Sequence, residues 1–138
     1  METKYMKISM PSIQEACEII PDAVRSFATI LNPTVEQLND IRTATLEAIT
    51  NCKLHAYPET PGIIWVHCKI LNNNTLEVVV KDKGKGIEDV VKAREPMFST
   101  KVNHSGLGFT VMEAFTDKVK VTSVPDKGTT VSIKKRIK

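Results

Sequence analysis

A chain of 138 residues, 41% hydrophobic and 25% charged, suits one compact globular domain spanning 1–138, with a core large enough to fold alone. Its 19 basic and 16 acidic residues leave a net charge of +3 but are interspersed, and few aromatics stand beside the basic ones, which argues against direct nucleic-acid binding. Neither an apolar leader nor a run approaching ~20 apolar residues is present, so a cytoplasmic protein without membrane contact is expected.

Lys4 to Met10 alternates weakly and predicts a short strand ended by Pro11. A loop or helical turn follows. Pro21 suits a first helical turn, so a helix is predicted from Pro21 to Leu31, with Val24, Phe27, Ala28 and Leu31 as its apolar stripe. Asn32-Pro33 breaks the chain, and Thr34 to Gln37 has the form of a capping box. The helix it starts is predicted to run to about Ala56, where Tyr57-Pro58 stops it. Val35, Leu38, Ile41, Thr45, Ala48, Ile49 and Cys52 form its core-facing stripe.

Ile63 to Leu71 and Thr75 to Lys81 read as strands joined by three asparagines into an antiparallel hairpin, with Ile64, Val66, Cys68 and Ile70, then Leu76, Val78 and Val80, facing inward. A short helix is predicted from Glu88 to Arg94, a polar loop from Ser99 to Ser105, and a further helix from Gly106 to Ala114. Lys118 to Val124 and Thr129 to Ile137 close the chain as strands across the turn at Pro125 to Gly128. The basic run Lys134 to Lys138 reads as a solvated strand end. Cys17, Cys52 and Cys68 are odd in number, lack CxxC spacing and sit in apolar patterns, so they read as reduced core thiols. Strands paired as hairpins, with helices inserted as groups, predict an α+β two-layer sandwich.

Three polar features carry chemistry. Glu47, Asn51 and His55 stand at i, i+4 and i+8, so they share one helical face beside the apolar stripe. Such a file usually faces solvent, but an amide oxygen is also a hard Mg²⁺ ligand, and a carboxylate one turn away can deprotonate a hydroxyl. Asp82-Lys-Gly-Lys-Gly86 follows a strand, where a carboxylate can accept from an exocyclic amine while Gly84 and Gly86 allow close approach of a flat ligand. By itself this run also suits an ordinary glycine turn. Ser105-Gly-Leu-Gly108 lies where a loop enters a helix, a natural seat for phosphate, though glycines also mark plain helix starts.

Glu47 to Asn51, Asp82 to Gly86 and Ser105 to Gly108 resemble the N box and two glycine boxes of the ATPase/kinase superfamily that includes gyrase, Hsp90, MutL and histidine kinases. With Leu31 to Thr34, Ala93 to Lys101, Gly106 to Glu113 and Gly128 to Thr130, the chain is similar over nearly its whole length to the sporulation anti-sigma factors that act on sigma-F. The resemblance implies a Bergerat-type sandwich with a mixed, mainly antiparallel sheet and helices on one face. It also implies a homodimer with ATP or ADP and Mg²⁺ as ligands. Two partners follow from it: a sigma factor that is held, and an anti-anti-sigma protein phosphorylated on serine by a serine/threonine protein kinase activity. By the same resemblance Glu47 is the general base, Asn51 the Mg²⁺ ligand, and Asp82 the adenine contact assisted by Thr129. Gly84 and Gly86 shape the base pocket, and Ile87 is a further nucleotide-binding residue. A lid from Thr100 to Gly108 brings Thr100, Lys101, Ser105 and the backbone amides of Gly106, Leu107 and Gly108 to the nucleotide.

Two departures stand out. His104 takes the place of the family's lid arginine in a shorter lid, which favours an alternative, a nucleotide-dependent partner-binding module without phosphotransfer. Pro21 replaces the family's first-helix arginine, with Arg25 one turn further on.

Overall fold

The structure, a computed structural model, describes residues 3–86 and 108–137. The described residues form a five-stranded sheet and three α-helices. The strands are β1 (Tyr5–Pro11), β2 (Ile63–Leu71), β3 (Thr75–Lys81), β4 (Lys118–Val124) and β5 (Gly128–Arg136). They lie in the order β1-β2-β3-β5-β4, and every neighbouring pair among them is antiparallel. The helices are α1 (Gln14–Ala28), α2 (Val35–Asn51) and α3 (Gly108–Phe115). α2 packs between α1 and α3 and lies over β3 and β5, with α1 toward β1 and α3 toward β4.

Period-two alternation explains the sheet. Ile64, Val66 and Cys68 of β2, Leu76, Val78 and Val80 of β3, and Val131 and Ile133 of β5 are buried on one face. Against them pack Ile20 and Val24 of α1, Ile41, Ala48 and Ile49 of α2, and Met112 of α3. Burying each larger aliphatic side chain stabilises by roughly 1.5–3 kcal/mol, and this layer supplies the main driving force for the sandwich. Tyr5, Trp65 and His67 occupy the opposite face, where Tyr5 and His67 meet edge to face at 6.0 Å. Between β2 and β3, Asn73 and Asn74 take left-handed conformations, which asparagine tolerates.

Three sequence expectations need correction. α1 begins at Gln14, seven residues before Pro21, which lies buried inside the helix. An interior proline forgoes one backbone hydrogen bond, but Ala16, Cys17 and Ile20 are buried ahead of it, and that packing holds the extra turns. Pro11 ends β1 as expected, pairing with Ile63 as its last residue, because an edge strand accommodates a residue without an N–H. Val35 is 69% exposed at the first turn of α2, while Ala44 joins the buried stripe in its stead. Lys135, read as part of a solvated tail, is largely covered. Its Nζ reaches Asp40 of α2 at 3.3 Å and donates to the Phe115 carbonyl of α3 at 2.8 Å, tying β5 to two helices.

The start of α2 agrees with its sequence signal. Thr34 Oγ1 accepts from the Gln37 N–H at 3.1 Å, and Gln37 Oε1 accepts from the Thr34 N–H at 2.9 Å. Its end differs from a plain helix stop. After Asn51 the chain continues as a π-turn over Cys52–Ala56, closed by Tyr57 N–H donating to the Cys52 carbonyl at 3.0 Å. Pro58 disfavours helical conformation at Tyr57 and ends the turn. No helix among the described residues is long and apolar enough to cross a membrane.

Candidate functional site

The π-turn faces the loop that follows β3, the middle strand of the sheet. Three neighbours hold that loop. Lys85 N–H donates to the Ala56 carbonyl at 3.2 Å, and Asp126 N–H, from the β4–β5 turn, donates to the Lys85 carbonyl at 2.5 Å. Tyr57 hydroxyl accepts from Lys83 N–H at 2.7 Å and donates to the Ile63 carbonyl at 2.8 Å. Gly84 and Gly86 make these approaches possible. A Cβ on Gly84 would lie 2.3 Å from the Ala56 carbonyl oxygen, and Gly86 combines a φ of +75° with a Cβ position 2.2 Å from the Val124 carbonyl oxygen.

Asp82 sits at the centre of this clamp with its residue 5% exposed. Its own N–H continues the sheet ladder to the Thr129 carbonyl at 2.9 Å. Oδ1 accepts from Gly84 N–H at 3.0 Å and from Thr129 N–H at 3.1 Å, and Oδ2 accepts from Cys52 Sγ–H at 3.6 Å. Burial pushes the carboxyl above its ordinary value, while the hydrogen bonds from Gly84, Thr129 and Cys52 pull the other way. An ionised carboxylate has about four acceptor positions. Three are taken by donors among the described residues, and a fourth suits a further donor such as an N–H of an exocyclic amine.

Cys52 directly follows Asn51, so its bond to Asp82 fixes the end of α2 over this turn. Asn51 and, one helical turn earlier, Glu47 are both half-buried on α2. His55, the third member of the i, i+4, i+8 file, is half-buried and lies in the π-turn rather than in α2 itself. Thr129, buried at the start of β5, offers its N–H to Asp82, and its hydroxyl lies 2.8 Å from Ser123 Oγ.

Of the residues singled out from the sequence, Asp82, Gly84, Gly86 and Thr129 meet in one clamp, tied through Cys52 to the end of α2 at Asn51. Gly108 is the first residue of α3. Ile87, Thr100, Lys101, His104, Ser105, Gly106 and Leu107 lie outside the described residues, as do the short helix expected from Glu88 to Arg94 and the lid. Sequence reasoning missed three members of the clamp: Cys52, Ala56 and Tyr57. Only Cys52 carried a signal, its place next to Asn51, and the apolar stripe disguised it as an ordinary core thiol. Cys17, Cys52 and Cys68 are all free and buried, as expected, and burial pushes the Cys68 thiol up to about 12.

Residues 11–135 match the family model of the histidine kinase-like ATPase domain. The chain is 50% identical to an anti-sigma F factor of Caldanaerobacter subterraneus subsp. tengcongensis over 117 residues, covering 83% of this chain and 80% of the relative. It is 42% identical over 138 residues to an anti-sigma F factor of a Thermoanaerobacter species, covering 98% and 95%. Among solved structures, the RsbU and RsbW domains of a Mycobacterium tuberculosis protein superpose with a TM-score of 0.72 at 17% identity, over 97% of this chain and 32% of that one. A histidine kinase domain from Erythrobacter litoralis gives a TM-score of 0.62 at 20% identity, over 86% and 61%. These two likenesses concern the fold, an α+β sandwich. Identity of this order to the first two relatives extends over most of both partners' lengths, and the chain therefore belongs to the anti-sigma F factor family, built on the ATP-binding histidine kinase-like ATPase domain.

Proposed function

We propose that this anti-sigma factor sequesters a sporulation sigma factor and uses ATP with Mg²⁺ to phosphorylate a serine of an anti-anti-sigma antagonist. The observation that carries the nucleotide part is the carboxylate of Asp82, buried and held among the described residues by two backbone N–H groups and by the thiol of Cys52, the residue after Asn51, with acceptor capacity for a further donor. That capacity fits the exocyclic amine of adenine. Gly84 and Gly86 keep the loop flat against its neighbours, and Thr129 fixes the carboxylate from β5. Ile87, Thr100, Lys101, Ser105 and the amides of Gly106, Leu107 and Gly108 complete the nucleotide contacts in this reading.

The amide oxygen of Asn51 suits a hard cation, and Mg²⁺ there would neutralise charge on the phosphates. Glu47 accepts the proton of the substrate serine. The serine Oγ forms a bond to the γ-phosphorus of ATP, the bond from that phosphorus to the β,γ-bridging oxygen breaks, and ADP leaves with the electron pair. The cytoplasm is the compartment this reading requires, and a homodimer of this one-domain chain presents two such sites to its protein partners.

The test is transfer of ³²P from γ-labelled ATP to the antagonist co-purified from the native organism. Glu47→Gln is expected to slow transfer by about 10²–10⁴-fold with ATP affinity retained. Unlabelled antagonist with the parent protein, or undiminished labelling with Glu47→Gln, would overturn the kinase assignment.

A further inference from the structure

The bond between Cys52 and Asp82 joins the element bearing Glu47 and Asn51 to the carboxylate assigned to adenine. Cys52 is 4% exposed, its Sγ lies 3.6 Å from Asp82 Oδ2, and the π-turn that begins at Cys52 places the Ala56 carbonyl on Lys85 N–H. Oδ1 already receives two backbone N–H groups, and among the described residues the thiol is the donor to Oδ2. We infer that Cys52 is a positioning residue for nucleotide selection, its thiol occupying one acceptor position of Asp82 Oδ2 so that the other is presented to a 6-amino purine. The inference rests on the reading of Asp82 as the adenine contact.

A carboxylate fixed in this way presents only an acceptor at that position. A 6-amino group donates to it, whereas a 6-oxo group sets acceptor against acceptor. Without the thiol, Oδ2 loses its donor among the described residues in a buried site, and an unmade hydrogen bond there is costly. A water recruited to the vacated position can donate to a 6-oxo group, so the selection weakens. A thiol is a weak donor and a serine hydroxyl a better one, so serine at this position preserves the arrangement.

The experiment measures dissociation constants of ATP and inosine triphosphate, each with Mg²⁺, for the parent protein and for Cys52→Ala, Cys52→Val and Cys52→Ser. Valine fills the thiol's volume without a donor, which keeps the test open should alanine loosen the fold. The parent is expected to prefer ATP, the alanine and valine variants to lose about three- to tenfold of that preference, and serine to keep it. An ATP preference unchanged in the alanine and valine variants, an equal weakening of both nucleotides, or a serine variant as unselective as alanine overturns the role of Cys52. A parent protein that binds both nucleotides equally removes the assignment of Asp82 itself.

Discussion

Asp82 concentrates two opposing demands in one side chain. The proposed recognition of adenine needs an ionised acceptor, whereas burial disfavours the charge and raises its pKa. Because the folded value is raised, the native state holds this proton more tightly than the unfolded chain does. Its contribution to stability is therefore complete below the unfolded aspartate range and declines as pH rises through the folded value. Above that point the charge is a standing cost. Asp82→Asn removes it, so in nucleotide-free melts the variant is expected to unfold above the parent at pH 7.5, with the gap closing as the solution is acidified. The same substitution should weaken ATP binding by about tenfold or more, the scale of one hydrogen bond to a charged group. A variant that melts below the parent at every pH would contradict this balance. Asp82 was legible in the sequence because the carboxylate and its glycines are consecutive. Its thiol partner lies 30 residues away, and no local pattern announces such a pairing.

At the scale of elements, the π-turn and the 82–86 loop form one unit. Gly84 permits contact between them, and its missing side chain faces backbone that cannot swing aside. Gly84→Ala is accordingly expected to cost about 1–3 kcal/mol of stability, the range for overpacking, and to abolish measurable ATP binding. Denaturant titration and calorimetry on the same sample check both, and normal ATP affinity in the variant would count against the clamp. Strands and the start of α2 were readable because alternation and a capping box are short-range signals. The start of α1 was not, since Pro21 is typical of a first helical turn and only tertiary burial around Ala16 and Ile20 places it mid-helix. The π-turn was hidden for a similar reason: Tyr57-Pro58 marks where a helix stops, but not how its last turn is wound.

For the whole molecule, α2 is both the middle of the helical layer and the carrier of Glu47 and Asn51, so core packing and site geometry share one support. A ligand that binds only the folded chain must stabilise all of it. With ATP and Mg²⁺ at 100 times the dissociation constant the gain is about 2.7 kcal/mol, which for a chain of this size raises the melting midpoint by roughly 5–15 °C. Differential scanning calorimetry with and without a chelator tests this. A midpoint indifferent to millimolar ATP would remove the nucleotide from the mechanism. The fold class could be read from strand and helix order alone, whereas the family came from motifs whose spacing the sandwich explains.

The bond from Thr129 N–H to Asp82 spans 47 residues of sequence and that from Cys52 spans 30. The first cannot close until β5 has docked beside β3, so its loop-closure entropy falls on the late, non-local part of folding. A partly assembled chain with its first hairpin complete would possess Glu47, Asn51 and Asp82 and still have no seat for a purine. Under the proposed assignment of Asp82, nucleotide capture is thus restricted to molecules whose sheet is finished, and ATP acts on the folding equilibrium only after β5 has docked.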